Sequence, residues 1–207
     1  VAQGGEVRLD AAIAELRAAA TPAEWVEELI LQALAVVGFP RTLLAMRAWR
    51  KVVGWSSGRT VGGDPGLDYA RHAEWTRAGE ATCHVVYGDN YERLRRAVRE
   101  LHPALDAWMI TEGYGRTLSR PGLTLRQREL CMVAMVATLD TPHQLHSHLR
   151  GARNAGATPD EVTAVIEAVM PELSPGAATT AEKAAAYLAG LETELVGPDS
   201  SASRPVG

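Results

Sequence analysis

The sequence predicts an all-α protein, and three features support that prediction. Ala, Leu, Val, Glu and Arg are abundant while aromatic residues make up only 5% of the chain, a composition that favours helix. Apolar residues recur at helical spacing, for example at Trp25, Leu29, Ala33 and Val37, which form an i, i+4 stripe. No segment keeps the alternation of apolar and polar residues that is typical of a strand. With 207 residues, 46% of them apolar, the chain is long enough to bury a core.

Charge and cysteine content narrow the classes of function. The formal net charge of −4 provides no basic surface, so we expect no nucleic-acid partner. Cys83 and Cys131 are far apart in sequence, which fits a reducing compartment better than a disulfide framework. No run of about 18 or more consecutive apolar residues is present, so we expect no membrane partner and a cytoplasmic location.

The N-terminal quarter predicts helices over 10–19, 22–37 and 41–53, with Gly38-Phe39-Pro40 ending the second. Glycine and serine then dominate 54–67, which predicts a linker. We therefore expect a partial helical repeat at 1–53, a linker at 54–67, a helical domain at 68–195 and a disordered tail at 196–207.

The helical domain is expected to contain seven helices. They are predicted over 68–82, 90–101, 103–117, 124–139, 142–155, 159–170 and 179–194. Thr124 and Gln127 have the spacing of a capping box, which opens the fourth of these helices. That helix is apolar on every side, so we expect it to be buried at the centre.

Two segments of the chain resemble each other. Residues 20–24 and 157–161 both combine a predicted capping box with a proline at the first helical position. Two helices that use the same favourable cap would produce this likeness, and so would a duplicated helical unit. The sequence is compatible with both.

One polar stripe is predicted on the helix that begins at 142. At steps of three and four residues, and therefore on one face that we expect to point to the core, lie Thr141, Gln144, His148 and Ala152. His146, Arg150 and Arg153 lie on the opposite side and are expected in solvent. His148 is thus a polar ring on a mostly apolar face.

Glu129 is the acidic residue that we expect nearest to His148. It lies near the N-terminal end of the buried central helix, where the helix dipole favours a carboxylate. A buried Glu–His pair is a plausible unit for proton transfer. A lone core histidine is more often structural than catalytic, and the sequence also allows that role for His148. It also allows Glu129 to pair with Arg126 or Arg128, and Gln144 to cap its helix together with Thr141.

Metal binding is not expected. The three histidines His143, His146 and His148 do not share one face of their helix, and no acidic or cysteine ligand stands at a suitable spacing. We predict neither a metal nor a cofactor.

Several motifs together resemble the carboxymuconolactone decarboxylase family, over about residues 84–170. They are Tyr114-Gly115, Arg120-Pro121-Gly122-Leu123, Arg128-Glu129-Leu130 and the series Gln144, Leu145, His148, Ala152, Gly156, Thr158 and Glu161. The resemblance implies an alkylhydroperoxidase D-like helical bundle that assembles as a homotrimer or, as second choice, a hexamer. Residues 28–48, with Gly38-Phe39-Pro40, resemble the closing helix pair of the same family, which implies a duplicated or permuted repeat.

The peroxidase branch of that family carries a Cys-x-x-Cys pair, and here Thr141 and Gln144 stand in its place. Thiol peroxidase chemistry needs an attacking and a resolving thiol, so an antioxidant function is disfavoured. Cys131 is expected to be a packing residue.

The decarboxylase branch uses neither thiol nor cofactor, and the resemblance implies a lyase or isomerase acting on a small anionic, carboxylated substrate. His148 would be the acid or base, and Glu129 would orient it. Gln144 would donate a hydrogen bond to an enolate, and Arg120 would neutralise a substrate carboxylate. Tyr114 and Thr141 complete the expected substrate-binding set. A thiol-based antioxidant protein and a non-catalytic binding or scaffold member of the fold are the alternatives.

Overall fold

The computed structural model describes residues 6–54 and 68–195. Within those ranges the chain is helical and contains no strand, so the all-α prediction is confirmed. Most of the predicted linker and the whole predicted tail, at 55–67 and 196–207, lie outside the described residues.

The N-terminal segment forms α1 (Glu6–Ala18) and α2 (Ala23–Val53). The backbone of α2 is interrupted at Gly38, which has a φ of +71° that suits glycine. The hydroxyl group of Thr42 donates a hydrogen bond of 2.9 Å to the Gly38 carbonyl oxygen. The predicted end of a helix at Gly38-Phe39-Pro40 is therefore a break between two helical halves of α2.

The two segments with matching caps differ in structure. Thr158 and Glu161 form the predicted capping box, in which each side chain accepts a hydrogen bond from the other residue's backbone amide. The predicted box at Thr21 is wrong, because α2 begins one residue later, with Pro22 as its N-cap and no side-chain capping bond. The likeness of the two sequences therefore does not extend to the geometry of their caps.

Each helix predicted for the rest of the chain has a counterpart, and the one predicted over 68–82 lies at His72–Tyr87. Short 3₁₀ turns occur at Tyr69–Arg71, Gly88–Asn90 and Met170–Glu172. The helices are α3 (His72–Tyr87), α4 (Tyr91–Leu101), α5 (Pro103–Trp108), α6 (Leu125–Thr138), α7 (Pro142–Asn154), α8 (Pro159–Val169) and α9 (Pro175–Leu195). The helix predicted over 103–117 changes after Trp108 into a π-helix, Met109–Leu118. The final helix begins at Pro175, four residues earlier than predicted.

α6 is the central helix, as predicted. Its capping box between Thr124 and Gln127 is formed, and no residue from Gln127 to Thr138 is exposed. It packs against α7 and α8, and also against α2 of the N-terminal segment.

Two glycines allow a close helix crossing between α3 and the π-helix. A Cβ atom at Gly79 would lie 2.0 Å from the carbonyl oxygen of Ile110, and one at Gly115 would lie 2.0 Å from that of Trp75. Since backbone atoms cannot yield as a flexible side chain does, only glycine fits at either position. The wider turn of the π-helix accompanies this contact, and the sequence pattern did not predict it.

One described helix, α2, is long and apolar enough to cross a membrane as judged by length and composition. Its most apolar 18-residue window has a mean hydropathy of 1.7, and 28% of that window is buried. The same helix is broken at Gly38 and carries Glu28 and Gln32, both buried against the rest of the protein. These features are typical of a helix that packs within its own chain, and the absence of a membrane partner stays a prediction.

The glycine crossing gives a test of the packing. We expect Gly115→Ala to lower the free energy of unfolding by about 3 kcal/mol, because its methyl group would overlap the Trp75 carbonyl. Gly113→Ala, two residues earlier in the π-helix, is the control, since a Cβ there meets no atom within 4 Å. Chemical denaturation followed by circular dichroism measures both, and equal stability of the two variants would contradict the crossing.

Candidate active site

Two neighbouring residues of α6, Arg128 and Glu129, have no solvent exposure at all, and their side chains leave the helix in different directions. The Arg128 guanidinium faces α2. It donates to the carboxylate of Glu28 over 2.9 Å and to the side-chain oxygen of Gln32 over 3.2 Å. Gln32 in turn donates to the Arg128 carbonyl oxygen over 2.8 Å. Burial lowers the pKa of Arg128, and its hydrogen bond to Glu28 acts against that change.

Arg120 belongs to the same ionic cluster. Its Nε and Nη2 atoms both donate to the carboxylate of Glu28, over 3.0 and 2.9 Å. The carbonyl oxygen of Arg120 also accepts a hydrogen bond from Arg128. Arg120, which we expected to bind a substrate carboxylate, is thus paired with Glu28. Its contact with a substrate stays a prediction.

Glu129 faces α7 and meets His148. The Nδ1 atom of His148 lies 2.8 Å from Oε2 of Glu129, and the histidine retains only 8% of its exposure. The second carboxylate oxygen of Glu129, Oε1, is buried without a hydrogen-bond partner among the described residues. Of the alternative partners for Glu129, Arg126 instead pairs with Glu161 and Arg128 with Glu28.

Gly151 makes the space in which Glu129 reaches His148. A Cβ atom at this position would lie 2.7 Å from Oε2 of Glu129 and 2.6 Å from Cγ1 of Val86. Gly151 is one turn after His148 on α7, so its role follows from helical spacing once the partner of His148 is known. Sequence reasoning missed it because Gly151 also looks like an ordinary glycine in a helix.

A tyrosine pair and a thiol surround the buried carboxylate. The rings of Tyr87 and Tyr114 meet edge to face with centroids 6.2 Å apart. Burial raises the pKa of Tyr114 well above its usual value, and Tyr87, Glu129 and Cys83 raise it further. Burial also raises the pKa of Tyr87, partly offset by side-chain hydrogen bonds to Tyr114 and Ser147. The structure thus brings Tyr114 close to the pair, and adds Tyr87, which sequence reasoning missed.

The first turn of α7 differs from the prediction. His148 and Ala152 are buried, as are Leu145 and Leu149, but Gln144 is exposed although we expected it to face the core. It lies in the first turn of α7, shortly after α6 ends at Thr138 and the chain is exposed at Leu139 and Asp140. Thr141 does not form the capping box that was an alternative role for Gln144. Its hydroxyl group donates instead to the carbonyl oxygen of Val136 over 3.1 Å.

A model of the carboxymuconolactone decarboxylase family matches residues 103–188, which include α5, the π-helix, α6, α7, α8 and most of α9. Over these residues the chain is similar to that family. The match to the family model and the all-α structure therefore agree with the family resemblance and the fold class that the sequence predicted. No match to the chain was found among curated proteins.

The matched region has no thiol pair at the peroxidase positions, which hold Thr141 and Gln144. Cys83 and Cys131 are both free. Burial raises the pKa of Cys83 to about 12 and that of Cys131 to about 11. Both thiols are therefore protonated at neutral pH, whereas the thiolate is the reactive form. Within residues 6–54 and 68–195, no three His, Cys, Asp or Glu side chains are grouped so that they could hold a metal ion.

Thiol alkylation tests whether the two cysteines are inert. At pH 7.5 we expect iodoacetamide to leave the native protein unlabelled over the time in which it labels the denatured chain completely, because Cys83 is buried, Cys131 is half-buried and both thiols stay protonated. Mass spectrometry of tryptic peptides measures each site separately. Rapid labelling of Cys83 or Cys131 in the native protein would contradict this expectation.

Proposed function

We propose that the protein is a cofactor-independent lyase or isomerase that transfers a proton between Glu129–His148 and a small carboxylated substrate. The observation that supports it most is the 2.8 Å contact between His148 Nδ1 and Glu129 Oε2, which is buried on the carboxylate side. A carboxylate that holds an imidazole in one orientation is a common arrangement in general acid–base catalysis.

The two ring nitrogens of His148 have different roles in this proposal. Nδ1 is engaged with Glu129, so Nε2 is the atom left to exchange a proton with a substrate. The histidine side chain keeps 10% of its exposure, which gives a small molecule limited access. Glu129 would stabilise the imidazolium that forms whenever Nε2 takes up a proton.

A decarboxylation is consistent with these roles of Nδ1 and Nε2. The bond between the substrate carbon and its carboxylate breaks, its electron pair moves into the adjoining conjugated system as a dienolate, and carbon dioxide leaves. Protonated His148 then gives its proton to the substrate carbon and regains one from solvent. In an isomerisation the same nitrogen removes a proton from one carbon and returns it to another, with no net change in the substrate formula.

The remaining predicted residues take roles that follow from their positions. Gln144 lies on the same stripe as His148 and is exposed, so its amide is available to an enolate oxygen. Thr141 is half-buried one turn before Gln144 and would line the route by which a substrate reaches His148. Tyr114 is buried and would form a wall near Glu129. Arg120 would have to exchange Glu28 for a substrate carboxylate.

Self-association is part of the proposal. The family resemblance implies a homotrimer, with a hexamer as the second choice. Large apolar side chains on the described surface support an assembly, among them Trp108 with 63% exposure and Phe39 with 66%.

The catalytic proposal is tested by deuterium incorporation. In D₂O, with a panel of carboxylated lactones and enolisable ring acids, we expect wild-type protein to exchange a carbon-bound proton or release carbon dioxide. His148→Ala should lower that rate by roughly 10²- to 10⁴-fold, the usual contribution of a general acid or base. Glu129→Gln should lower it less, because the imidazole remains but loses its orienting charge.

His143→Ala is the matched control for this experiment, since His143 is an exposed histidine on the same helix. It should leave the rate unchanged. Full activity in His148→Ala would contradict the proposal. The absence of both exchange and carbon dioxide release with every member of the panel would also contradict it.

A further inference from the structure

A cavity of about 260 Å³ lies on the side of α7 away from the stripe of His148. Its walls come from the end of α3, the first two turns of α4 and one face of α7. On α7 the lining residues Ser147, Arg150 and Asn154 share one face, whereas His148 is rotated from Ser147 by about 100°. The cavity therefore lies on a different face of α7 from His148, although Tyr87, which is also near Glu129, lines it.

The cavity is positively charged in a protein whose net charge is −4. Arg93 of α4 and Arg150 of α7 both line it, and no Asp or Glu does. Among the described residues, neither arginine forms an ion pair with a carboxylate. Each therefore keeps its full charge for a ligand. Burial and the neighbouring Arg150 lower the pKa of His146, another lining residue, as expected beside uncompensated positive charge.

The start of α4 faces the cavity, and its first turn carries Glu92 as well as Arg93. Asn90 is the N-cap of this 11-residue helix and Arg93 lies in its first turn, and both line the cavity. Asn90 makes no capping hydrogen bond with its side chain, so its amide is available to a ligand. The positive end of a helix dipole at the same wall favours an anion.

The walls are held in place before any ligand binds. The side-chain amide of Asn154 donates to the carbonyl oxygen of Val86 over 2.9 Å and so ties α7 to α3. Tyr87 of α3 and Ser147 of α7 both line the cavity. Val86 and Leu94 give it an apolar part. A preformed cavity with a few fixed polar groups is the usual form of a small-molecule site.

We infer that this cavity binds a small organic carboxylate, with the carboxylate between Arg93 and Arg150 and an apolar body of about one ring against Val86 and Leu94. Guanidinium groups match the geometry of a carboxylate, and the volume limits the ligand to a single ring. The inference goes beyond the proposed function, because it assigns a second ligand site that does not need Glu129 or His148.

Isothermal titration calorimetry of the full chain tests the site with phthalate as probe and the neutral phthalamide as control. We expect phthalate to bind at concentrations below about 10 mM and phthalamide not to bind. Arg93→Ala and Arg150→Ala should each weaken phthalate binding by about 10-fold, the loss of one charge-assisted hydrogen-bonded pair. Both arginines are exposed, so the variants should fold, and thermal unfolding checks this.

Arg96→Ala is the matched control, since Arg96 is an exposed arginine of α4 that does not line the cavity. Equal weakening by Arg96→Ala would overturn the site, because the attraction would then be general to the surface. Failure of phthalate to bind would also overturn it. Equal or tighter binding of inorganic phosphate, which has no apolar body, would overturn the assignment to an organic carboxylate.

The two proposals fail separately. Phthalate binding that persists in His148→Ala, with no turnover by wild-type protein, would support this site and contradict the proposed function. Turnover that depends on His148, with phthalate binding unchanged in Arg93→Ala and Arg150→Ala, would support the proposed function and contradict this site.

Discussion

Two fully buried charged residues that follow one another on the central helix constrain this fold more than any other feature. Arg128 and Glu129 have no exposure, and a buried charge without a partner costs several kcal/mol. Adjacent helical residues point about 100° apart, so one helix cannot supply both partners. α6 must therefore lie between α2, which gives Glu28 and Gln32 to Arg128, and α7, which gives His148 to Glu129.

This arrangement connects the N-terminal segment to the candidate active site. Residues 103–188 carry the family signature, yet the charge of Arg128 within them is compensated by Glu28, which lies outside the matched region. Arg120 is held by the same carboxylate. Loss of α2 would leave two arginines of the family domain without their acidic partner, one of them fully buried. The segment thus compensates the charge of Arg128, next to Glu129, although it contributes no residue to the Glu129–His148 pair.

What the sequence could predict depended on local rules. Capping boxes at Thr124 and Thr158 need only neighbours in the chain, and the helical period was enough to place Glu129 and His148 on buried faces. The exposed Gln144, the α3–π-helix crossing at Gly115 and the space at Gly151 depend on where other helices end or pass. So does the cavity of Arg93 and Arg150, residues from separate helices that gave no shared signal in the sequence.

The proposed role of the Glu129–His148 pair depends on which ring nitrogen of His148 carries a proton. An ionised carboxylate can only accept a hydrogen bond, so Nδ1 of His148 must carry a proton toward Glu129 and leave Nε2 for substrate. Nitrogen-15 NMR of the histidine ring reports which nitrogen is protonated near neutral pH. We expect a protonated Nδ1 in wild-type protein and the loss of this preference in Glu129→Gln. An unprotonated Nδ1 in wild-type protein, with the proton on Nε2, would contradict the proposed role of the pair.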